Sequence, residues 1–283
     1  MQQKTSPRAW QAIALALALS LPAQTSARAN GFPALWDSRE RLPAVTLGET
    51  SRLRFLVMVD FPPFSFLDGN GRLTGFHVDL AHALCREMDM LDKCQIQGLP
   101  WGELPGALRS GQGDAVLSGL PADDTMEGIA LTRAYFPLPA RFATRREAAL
   151  EEPLAATLAG KRVGVLSGSA HEQMLRAWFP DAQPVVYSRE AWMTQDLRDG
   201  KTDAVFSDGM RLSFWLGGTG AQACCMFSGG AYYAPDLLGT GHRIAVDARQ
   251  DKLAPALEQA LKQLSAKGVL NELYLRYFPV GFF

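Results

Sequence analysis

The sequence predicts an α/β fold in which two similar lobes enclose a cleft, and two observations lead to this prediction. First, buried strands alternate with amphipathic helices along the chain, an order typical of α/β proteins. Second, the pattern L-R-x-G-x-x-D-A-V-x-S occurs at Leu108 to Ser118 and again, 89 residues later, at Leu197 to Ser207. Each copy indicates a helix end, a glycine stop, an aspartate turn and a buried strand that ends in a polar residue. Loops between helices and strands share some of this chemistry, but we interpret the repeat as two lobes of similar build.

The first half of the chain opens on a nearly continuous apolar run from Leu53 to Val59, which predicts a buried strand. Apolar residues then recur at fourfold spacing from Phe76 to Met88, which predicts a helix. We expect a strand near Gln95 to Gly98, a helix from Trp101 to Arg109 and a strand from Ala115 to Leu117. The order strand, helix, strand, helix, strand favours a sheet with helices packed on it.

The second half repeats this alternation. The expected elements are strands at Arg162 to Leu166, Pro184 to Tyr187 and Ala204 to Phe206, and helices at Ala170 to Phe179, Glu190 to Arg198, Met210 to Leu216 and Lys252 to Tyr277, the last broken near Gly268. Pro137, Pro139 and the charged stretch from Arg145 to Glu152 mark the boundary between the halves.

The two copies of the repeat also suggest where a ligand would bind. In open α/β sheets, ligands bind beyond the carboxyl ends of the strands. Ser118 and Gly119 follow the strand in the first copy, and Ser207 and Asp208 end the strand in the second. We therefore expect these two pairs on opposing walls of one cleft.

The composition narrows the class of protein. The chain has 283 residues, of which 47% are apolar and 20% are charged, close to the averages for soluble globular proteins. The 28 Lys and Arg residues nearly balance 29 Asp and Glu, which gives a net charge of −1. This composition excludes a disordered chain and a multi-span membrane protein, and it lacks the basic excess typical of nucleic-acid binding.

The first 29 residues have the features of a cleaved signal peptide. Lys4 and Arg8 precede a short apolar run from Ala12 to Leu21, and Ala27 and Ala29 are small residues at the two positions that a signal peptidase reads. An anchoring helix is the alternative, but the run is shorter than the roughly 20 residues that span a bilayer. We expect export, with cleavage after Ala29.

Export to an oxidising compartment permits disulfides among the four cysteines. Cys85 falls late in a predicted helix and Cys94 opens the next strand, an arrangement that can bring the pair together. Their closed loop of about ten residues would contribute roughly 2–3 kcal/mol. A ring between the adjacent Cys224 and Cys225 would be strained, so we expect two small buried residues there, although the sequence leaves their pairing open. The cysteine and histidine spacings predict no metal site, and we expect no cofactor.

Four motifs give the chain a family resemblance. They are Phe61-Pro62-Pro63-Phe64-Ser65-Phe66, Gly71-Arg72-Leu73-Thr74-Gly75-Phe76-His77-Val78-Asp79-Leu80, Pro100-Trp101-Gly102-Glu103-Leu104-Pro105-Gly106-Ala107-Leu108 and Lys161-Arg162-Val163-Gly164-Val165-Leu166-Ser167-Gly168-Ser169. Together they resemble the family 3 bacterial periplasmic solute-binding proteins, which are mostly amino-acid receptors of ABC importers. The similarity covers roughly residues 52 to 278.

The resemblance implies a fold of the periplasmic binding protein type II kind. The first lobe would comprise residues 30–141 and 243–283, and the second lobe residues 142–242. The chain would cross between lobes near Arg141 to Ala143 and near Arg243 to Val246. A periplasmic monomer is implied whose lobes close on a small ligand and then dock on a membrane permease. Cys85 and Cys94 also match a disulfide of the basic-amino-acid branch.

The family's binding residues can be transferred only position by position. Phe61 and Trp101 match positions that sandwich the ligand side chain, and Phe64 lies close by, although core packing is an alternative for each. Asp208 matches the carboxylate that receives the ligand's ammonium group, and Ser169 matches a hydroxyl that binds the ligand carboxylate at a helix N-terminus. A helix N-cap is the alternative role for each, and for Asp208 the two roles can hold at the same time.

One family feature is missing. Relatives that bind α-amino acids place an arginine about eight residues after the strand-ending serine, where it binds the α-carboxylate. The segment from Pro121 to Glu127 puts Thr125 or Met126 at that position. A carboxylate buried without this partner would cost roughly 3 kcal/mol or more. An ordinary α-amino acid is therefore a poor ligand, unless Arg133 or Arg141 reaches it.

The remaining residues of the expected site favour a cationic amine. Asp208 is retained, and Asp123 and Asp124 add two further acids in the segment that lacks the arginine. Aromatic faces at Phe61 and Trp101 would also attract a cation.

Two other functions occur on the same fold. An enzyme, such as the dehydratases that share this fold, would need an acid/base pair or triad. Instead His77, His82, His171 and His242 are scattered without a catalytic motif. We therefore expect no catalysis. The second alternative is an exported accessory protein of the same fold, such as those associated with quinoprotein dehydrogenases, which would dock on another protein and need not hold an amino acid.

Overall fold

The computed structural model describes residues 31–43, 45, 47–48, 52–117 and 127–283. Within these residues the strands are, in chain order, β1 (Leu53–Met58), β2 (Asp60–Phe61), β3 (Ser65–Leu67), β4 (Leu73–Thr74), β5 (Cys94–Leu99), β6 (Ala115–Leu117), β7 (Ile129–Leu131), β8 (Ala140–Arg145), β9 (Arg162–Leu166), β10 (Gln183–Tyr187), β11 (Ala204–Asp208), β12 (Cys225–Tyr232) and β13 (Ile244–Asp247). The helices are α1 (Phe76–Glu87), α2 (Leu104–Arg109), α3 (Leu154–Thr157), α4 (Ala170–Trp178), α5 (Glu190–Arg198), α6 (Gly209–Gly217), α7 (Pro235–Leu238), α8 (Leu253–Ala266) and α9 (Val269–Tyr277).

The strands form two large sheets with the same plan. The first has the order β5-β1-β6-β13-β7, and the second has the order β10-β9-β11-β8-β12. In each sheet three neighbouring strands run parallel, and two further strands are added antiparallel at one side. β2, β3 and β4 make a small separate antiparallel sheet. The predicted α/β fold with two similar lobes is confirmed.

The sequence repeat has a structural counterpart in both sheets. Asp114 accepts a hydrogen bond from the backbone N–H of Arg54 at 2.8 Å, and Asp203 accepts the equivalent bond from Arg162 at 2.8 Å. In return, the N–H of each aspartate donates to the carbonyl of the same arginine, at 2.8 and 2.9 Å. The glycine stops of both copies, Gly111 and Gly200, have φ of 73° and 76°, a conformation that side chains with a Cβ disfavour.

Most predicted elements are present with small shifts of their ends. The helix expected from Trp101 begins instead as a 3₁₀ turn over Trp101–Glu103 and becomes α-helical only at Leu104. The long helix expected near the end of the chain divides into α8 and α9 at Gly268, whose φ is 77°. The sequence did not predict β7, β8, β12 or β13, the antiparallel strands of the two large sheets.

The chain passes between the two sheets twice, once between β7 and β8 and once between β12 and β13. These two crossing segments, residues 132–139 and 233–243, meet in an antiparallel bridge between Phe136 and His242. Of the crossings implied by the resemblance, Arg141 to Ala143 lie within β8, and Arg243 directly precedes β13. The lobe boundaries stay a prediction.

The first lobe has a core rich in aromatic residues. Phe64, Phe76 and Phe136 are fully buried and contact one another at ring-centroid distances of 5.0 to 5.8 Å. Phe278 joins them after α9, at 5.3 Å from Phe136. In the part of the chain that the structure describes, no helix is long and apolar enough to cross a membrane.

Both cysteine pairs are disulfide-bonded. The Cys85–Cys94 bond joins α1 to the start of β5, as predicted. The expectation of unbonded cysteines at Cys224 and Cys225 is wrong. The two residues before the pair, Gln222 and Ala223, adopt φ of 50° and 55° and lead directly into it.

Candidate ligand-binding site

Asp208 is the last residue of β11 and the N-cap of α6. Its carboxylate accepts a hydrogen bond from the backbone N–H of Arg211 at 2.8 Å. Burial raises the pKa of Asp208, although the hydrogen bond and charge of Arg211 oppose this effect. The Arg211 guanidinium is itself paired with Glu190 at 2.9 Å. Among the described residues no cationic side chain forms an ion pair with Asp208, so this partly desolvated carboxylate lies at the strand end with only the charge of the nearby Arg211 to offset the cost of burial.

Ser169 is the N-cap of α4. Its hydroxyl accepts from the N–H of Glu172 at 3.1 Å and donates to the carbonyl of Leu166 at 2.7 Å. Glu172 completes the cap by accepting from the N–H of Gly168 at 2.9 Å. Capping, one of the two roles that the sequence allows for Ser169, is therefore observed. Its contact with a ligand stays a prediction.

His171 lies in the first turn of α4, two residues after Ser169. Its Nε2 is buried and has no hydrogen-bond partner in the described part of the chain. Burial, together with the charge of Arg211, lowers the pKa of His171 to about 4, so the imidazole is neutral at pH 7. In the sequence His171 is one of four scattered histidines, and its spacing of two residues from Ser169 is the signal that places it at the same helix N-terminus.

The three aromatic candidates differ in exposure. Trp101 is 41% exposed, so its face is available to a ligand. Phe61 is partly buried and stacks on Phe64, with ring centroids 5.0 Å apart and an interplanar angle of 24°. Phe64 is fully buried within the core of the first lobe. The structure therefore shows the core-packing alternative for Phe64. Its ring packs against one face of the Phe61 ring.

Part of the expected site falls outside the described residues. Ser118 and Gly119, the wall predicted to oppose Asp208, lie there. So do Asp123, Asp124, Thr125 and Met126 in the segment that lacks the family's arginine.

The two arginines considered as substitutes are bonded elsewhere. Arg133 is paired with both carboxylate oxygens of Glu40, at 2.8 and 2.5 Å. Arg141 is buried, donates to the carbonyl of Gly229 at 2.8 Å, and lies over the ring of Phe227 at 4.5 Å. Neither guanidinium is free to form a bidentate pair without giving up these contacts.

Three residues that the sequence did not connect lie together beside the stacked rings of Phe61 and Phe64, which we call the aromatic wall. The imidazole Nε2 of His77 is 2.8 Å from the hydroxyl of Tyr135 and 3.2 Å from Nδ1 of His242. His77 and His242 are 165 positions apart, so no local pattern could have paired them.

Comparisons with known proteins give a consistent result. A family profile described as "Bacterial extracellular solute-binding proteins, family 3" matches residues 53–280. The L-arginine-binding protein of Pseudomonas aeruginosa is 31% identical over 236 residues, which cover 82% of this chain and 90% of that protein. The histidine-binding periplasmic protein of Salmonella typhimurium is 27% identical over 267 residues, which cover 93% and 96%.

Solved structures share the fold at lower identity. The L-cystine solute receptor of Neisseria gonorrhoeae, in its unliganded open conformation, has a TM-score of 0.69 at 18% identity, covering 83% of this chain and 96% of that chain. An ancestral cyclohexadienyl dehydratase has a TM-score of 0.68 at 19% identity, covering 85% and 99%.

Proposed function

Because the chain belongs to family 3 of the bacterial extracellular solute-binding proteins, we propose that it captures a small polar or cationic solute, an amine or an amino-acid-like molecule, for an ABC importer. The curated relatives named above are binding proteins for arginine and histidine, two amino acids whose side chains carry or accept a positive charge.

The main support for this proposal is that Asp208 is desolvated and forms no ion pair among the described residues. A carboxylate that is desolvated and lacks a cationic side-chain partner is costly when ionised. A ligand ammonium group placed against it would remove that cost and form a charge-assisted hydrogen bond. The position of Asp208 at the carboxyl end of β11 is where an open α/β sheet presents its ligand site.

Aromatic surface supports the same ligand chemistry. Trp101 offers an exposed indole face, and Phe61 is held in place by the ring stacked behind it. A cation between two aromatic faces gains about 0.5–2 kcal/mol from the ring quadrupoles.

The missing arginine argues against an ordinary α-amino acid. Thr125 or Met126 takes its place in the sequence, and Arg133 and Arg141 are engaged in other bonds. An amine without an α-carboxylate needs no such partner. We therefore favour a cationic amine within the broader class of solutes.

The other steps of this proposed function, namely export, closure of the lobes and docking on a permease, are inferred by analogy with the family. The first lobe, residues 30–141 with 243–283, and the second lobe, residues 142–242, close on the ligand about the two crossing segments. The closed monomer then docks on a membrane permease. The protein reaches the periplasm through a signal peptide cleaved after Ala29, and it binds its ligand without turning it over.

Matched ligand pairs test the proposal. Isothermal titration with L-arginine and agmatine, and with L-histidine and histamine, compares each amino acid with the amine that lacks only its carboxylate. We expect the amine of a pair to bind at least as tightly as the amino acid. A tight response to a zwitterionic amino acid alone would refute the preference for amines. Mass spectrometry of molecules that co-purify with the protein would identify ligands outside this panel.

A further inference from the structure

His77, Tyr135 and His242 form a buried polar cluster inside an otherwise aromatic core. Nε2 of His77 lies 2.8 Å from Tyr135 Oη and 3.2 Å from His242 Nδ1. All three side chains are at most 4% exposed. They come from three separate segments, namely the first turn of α1 and the two crossing segments.

The cluster lies where the crossing segments pair with each other. The N–H of His242 donates to the carbonyl of Phe136, and the N–H of Tyr135 donates to the carbonyl of His242, each at 2.8 Å. The side chains of Tyr135 and His242 both contact His77. One imidazole of α1 therefore ties both connections between the sheets to the first lobe.

The same cluster supports the aromatic wall of the candidate site. The ring of Phe64 lies 4.4 Å from that of His242 and 4.9 Å from that of His77. The N–H of His77 also donates to the carbonyl of Phe64 at 2.7 Å. Phe61, which stacks on Phe64, lies 5.8 Å from the ring of His242. A shift of either imidazole would move the wall.

The hydrogen bonds suit neutral imidazoles. His77 Nε2 and His242 Nδ1 are 3.2 Å apart, so one of these two nitrogens must accept and carry no proton, whichever tautomers are present. Nδ1 of His77 is buried and has no partner among the residues described. A second proton on His77 would place a charge in the core and an N–H donor at this Nδ1. A proton on His242 would add a charge next to another imidazole.

No carboxylate compensates such a charge in the described surroundings. On α1, Asp79 is bound by Arg276 and Tyr277, at 2.8 and 2.7 Å.

The neighbouring segments carry three charged groups. Asp60 is exposed and follows β1, and Arg133 is paired with Glu40. The Nε of Arg243 is buried and has no partner among the described residues. Tyr274 of α9 accepts from the N–H of Phe282 and stays neutral, because burial raises its pKa to about 12.

The electrostatics agree with the geometry. Burial lowers the pKa of His77 well below its ordinary range, and the neighbouring His242 lowers it further. Burial lowers the pKa of His242 to about 4 and raises that of Tyr135 well above its ordinary range. A histidine whose pKa is lower when buried than when exposed weakens the packed state as the pH falls from about 6.5 towards 4.

We propose that His77, Tyr135 and His242 are positioning residues that hold the two crossing segments and the aromatic wall in register, and that acid releases this hold. The consequence for binding rests on the proposed function, since ligand retention would weaken when the wall and the crossings loosen. The effect on the crossing segments does not depend on which solute is captured.

Hydrogen exchange on the empty protein tests this proposal. Exchange is followed by mass spectrometry for peptides that cover residues 132–140 and 239–244, at pH 7 and pH 5, after correction for intrinsic rates. One imidazole that titrates at 6.5 when released and at about 4 when packed predicts a roughly 20-fold loss of protection between these pH values. Peptides that cover β1 and β9 exchange through global unfolding, which also releases these imidazoles, so they should show the same acid dependence but stay more protected than the crossing segments at both pH values.

Two variants complete the experiment. In the double variant His77→Gln and His242→Gln, the acid-dependent loss of protection should disappear. The control is His82→Gln, which removes an exposed histidine from the same helix and should keep the full loss. Should the double variant fail to fold, the wild-type measurement decides alone. Protection of both crossing segments that does not fall between pH 7 and pH 5, or that equals the protection of β1 and β9 at both pH values, would overturn the proposal, as would an unchanged loss in a folded double variant.

Discussion

The guanidinium of Arg54 binds Asp114 at 2.9 Å, and the backbone N–H of the same arginine donates to the same carboxylate at 2.8 Å. Arg162 and Asp203 repeat this arrangement in the second sheet. In both cases the aspartate belongs to the repeated sequence, and the arginine lies at the start of the neighbouring parallel strand. Each pair therefore fixes the register of two central strands at equivalent places in the two lobes.

The first pair should contribute more to stability than the second. The side chains of Arg54 and Asp114 are 19% and 12% exposed, against 47% and 29% for Arg162 and Asp203. We expect Asp114→Asn to lower the free energy of unfolding by about 1–3 kcal/mol, because it leaves a nearly buried guanidinium poorly paired. Chemical denaturation of this variant beside Asp203→Asn gives the comparison. Equal losses in the two variants would mean that exposure does not set the strength of these pairs.

The Cys85–Cys94 disulfide should stabilise the first lobe through the unfolded state. It closes a loop of about ten residues, so the Cys85→Ala and Cys94→Ala double variant should lose roughly 2–3 kcal/mol of unfolding free energy. The matched variant is Cys224→Ala with Cys225→Ala, whose bond closes a ring between adjacent residues and removes much less chain entropy. Denaturant titrations of the two variants would contradict this account if the second pair proved the more costly.

Substitution of Phe64 should mainly lower stability, whereas substitution of Trp101 should mainly weaken ligand binding. Phe64 is fully buried, so Phe64→Ala should cost about 3–5 kcal/mol of unfolding free energy by leaving a cavity in the core. Trp101 is 41% exposed, and Trp101→Ala should change stability by only about 0.5 kcal/mol while it weakens ligand binding. Thermal unfolding and titration of both variants check this. Unchanged ligand affinity in Trp101→Ala would remove Trp101 from the site.

Asp208 should matter for binding much more than for folding. Asp208→Asn keeps a side-chain oxygen for the N-cap of α6 and removes the charge. Affinity for a cationic ligand should fall about tenfold or more, since a charge-assisted hydrogen bond is worth about 1.5–3 kcal/mol. The control is Asp181→Asn, an exposed carboxylate outside the site. Equal affinities in the two variants would exclude Asp208.

The raised pKa of Asp208 also gives a pH dependence with a defined sign. An acid that holds its proton more tightly when folded favours the folded state at low pH, and this contribution is lost as the pH rises through the raised pKa. The ionised carboxylate therefore destabilises the empty protein at neutral pH. We expect the thermal midpoint of empty Asp208→Asn at pH 7 to equal or exceed that of the wild type, and affinity of the wild type for a cation to fall in acid. A clearly lower midpoint for the variant would contradict this.

Much of the fold was predictable because local patterns specify it. The periodicity of α1 and the apolar run of β1 both follow from the burial of one helix face or both sheet faces. The antiparallel strands were missed for a physical reason. β13 contains four residues whose apolar run resembles any short buried segment, and only its pairing with β6 and β7 makes it a strand.

From the sequence, a candidate site residue could be chosen where its position alone suggests the role, and its contact with a ligand stays a prediction. Asp208 follows from its place at a strand end, and the structure supplies its burial and the absence of a cationic partner in the residues described. His77 and His242 depend on a contact over 165 positions, which a single sequence does not encode locally. The bond between Cys224 and Cys225 follows a turn in which Gln222 and Ala223 have positive φ, and the sequence left this pairing open.

A crystal structure of the protein in complex with an amine, formed in solution before crystallisation, tests the central claim most directly. The account predicts that the cationic nitrogen lies about 3 Å from a carboxylate oxygen of Asp208, with the rings of Phe61 and Trp101 on either side of the ligand and the two lobes closed around it. A bound amine that leaves Asp208 without a contact, or that lies on one lobe while the other stays apart, would contradict it.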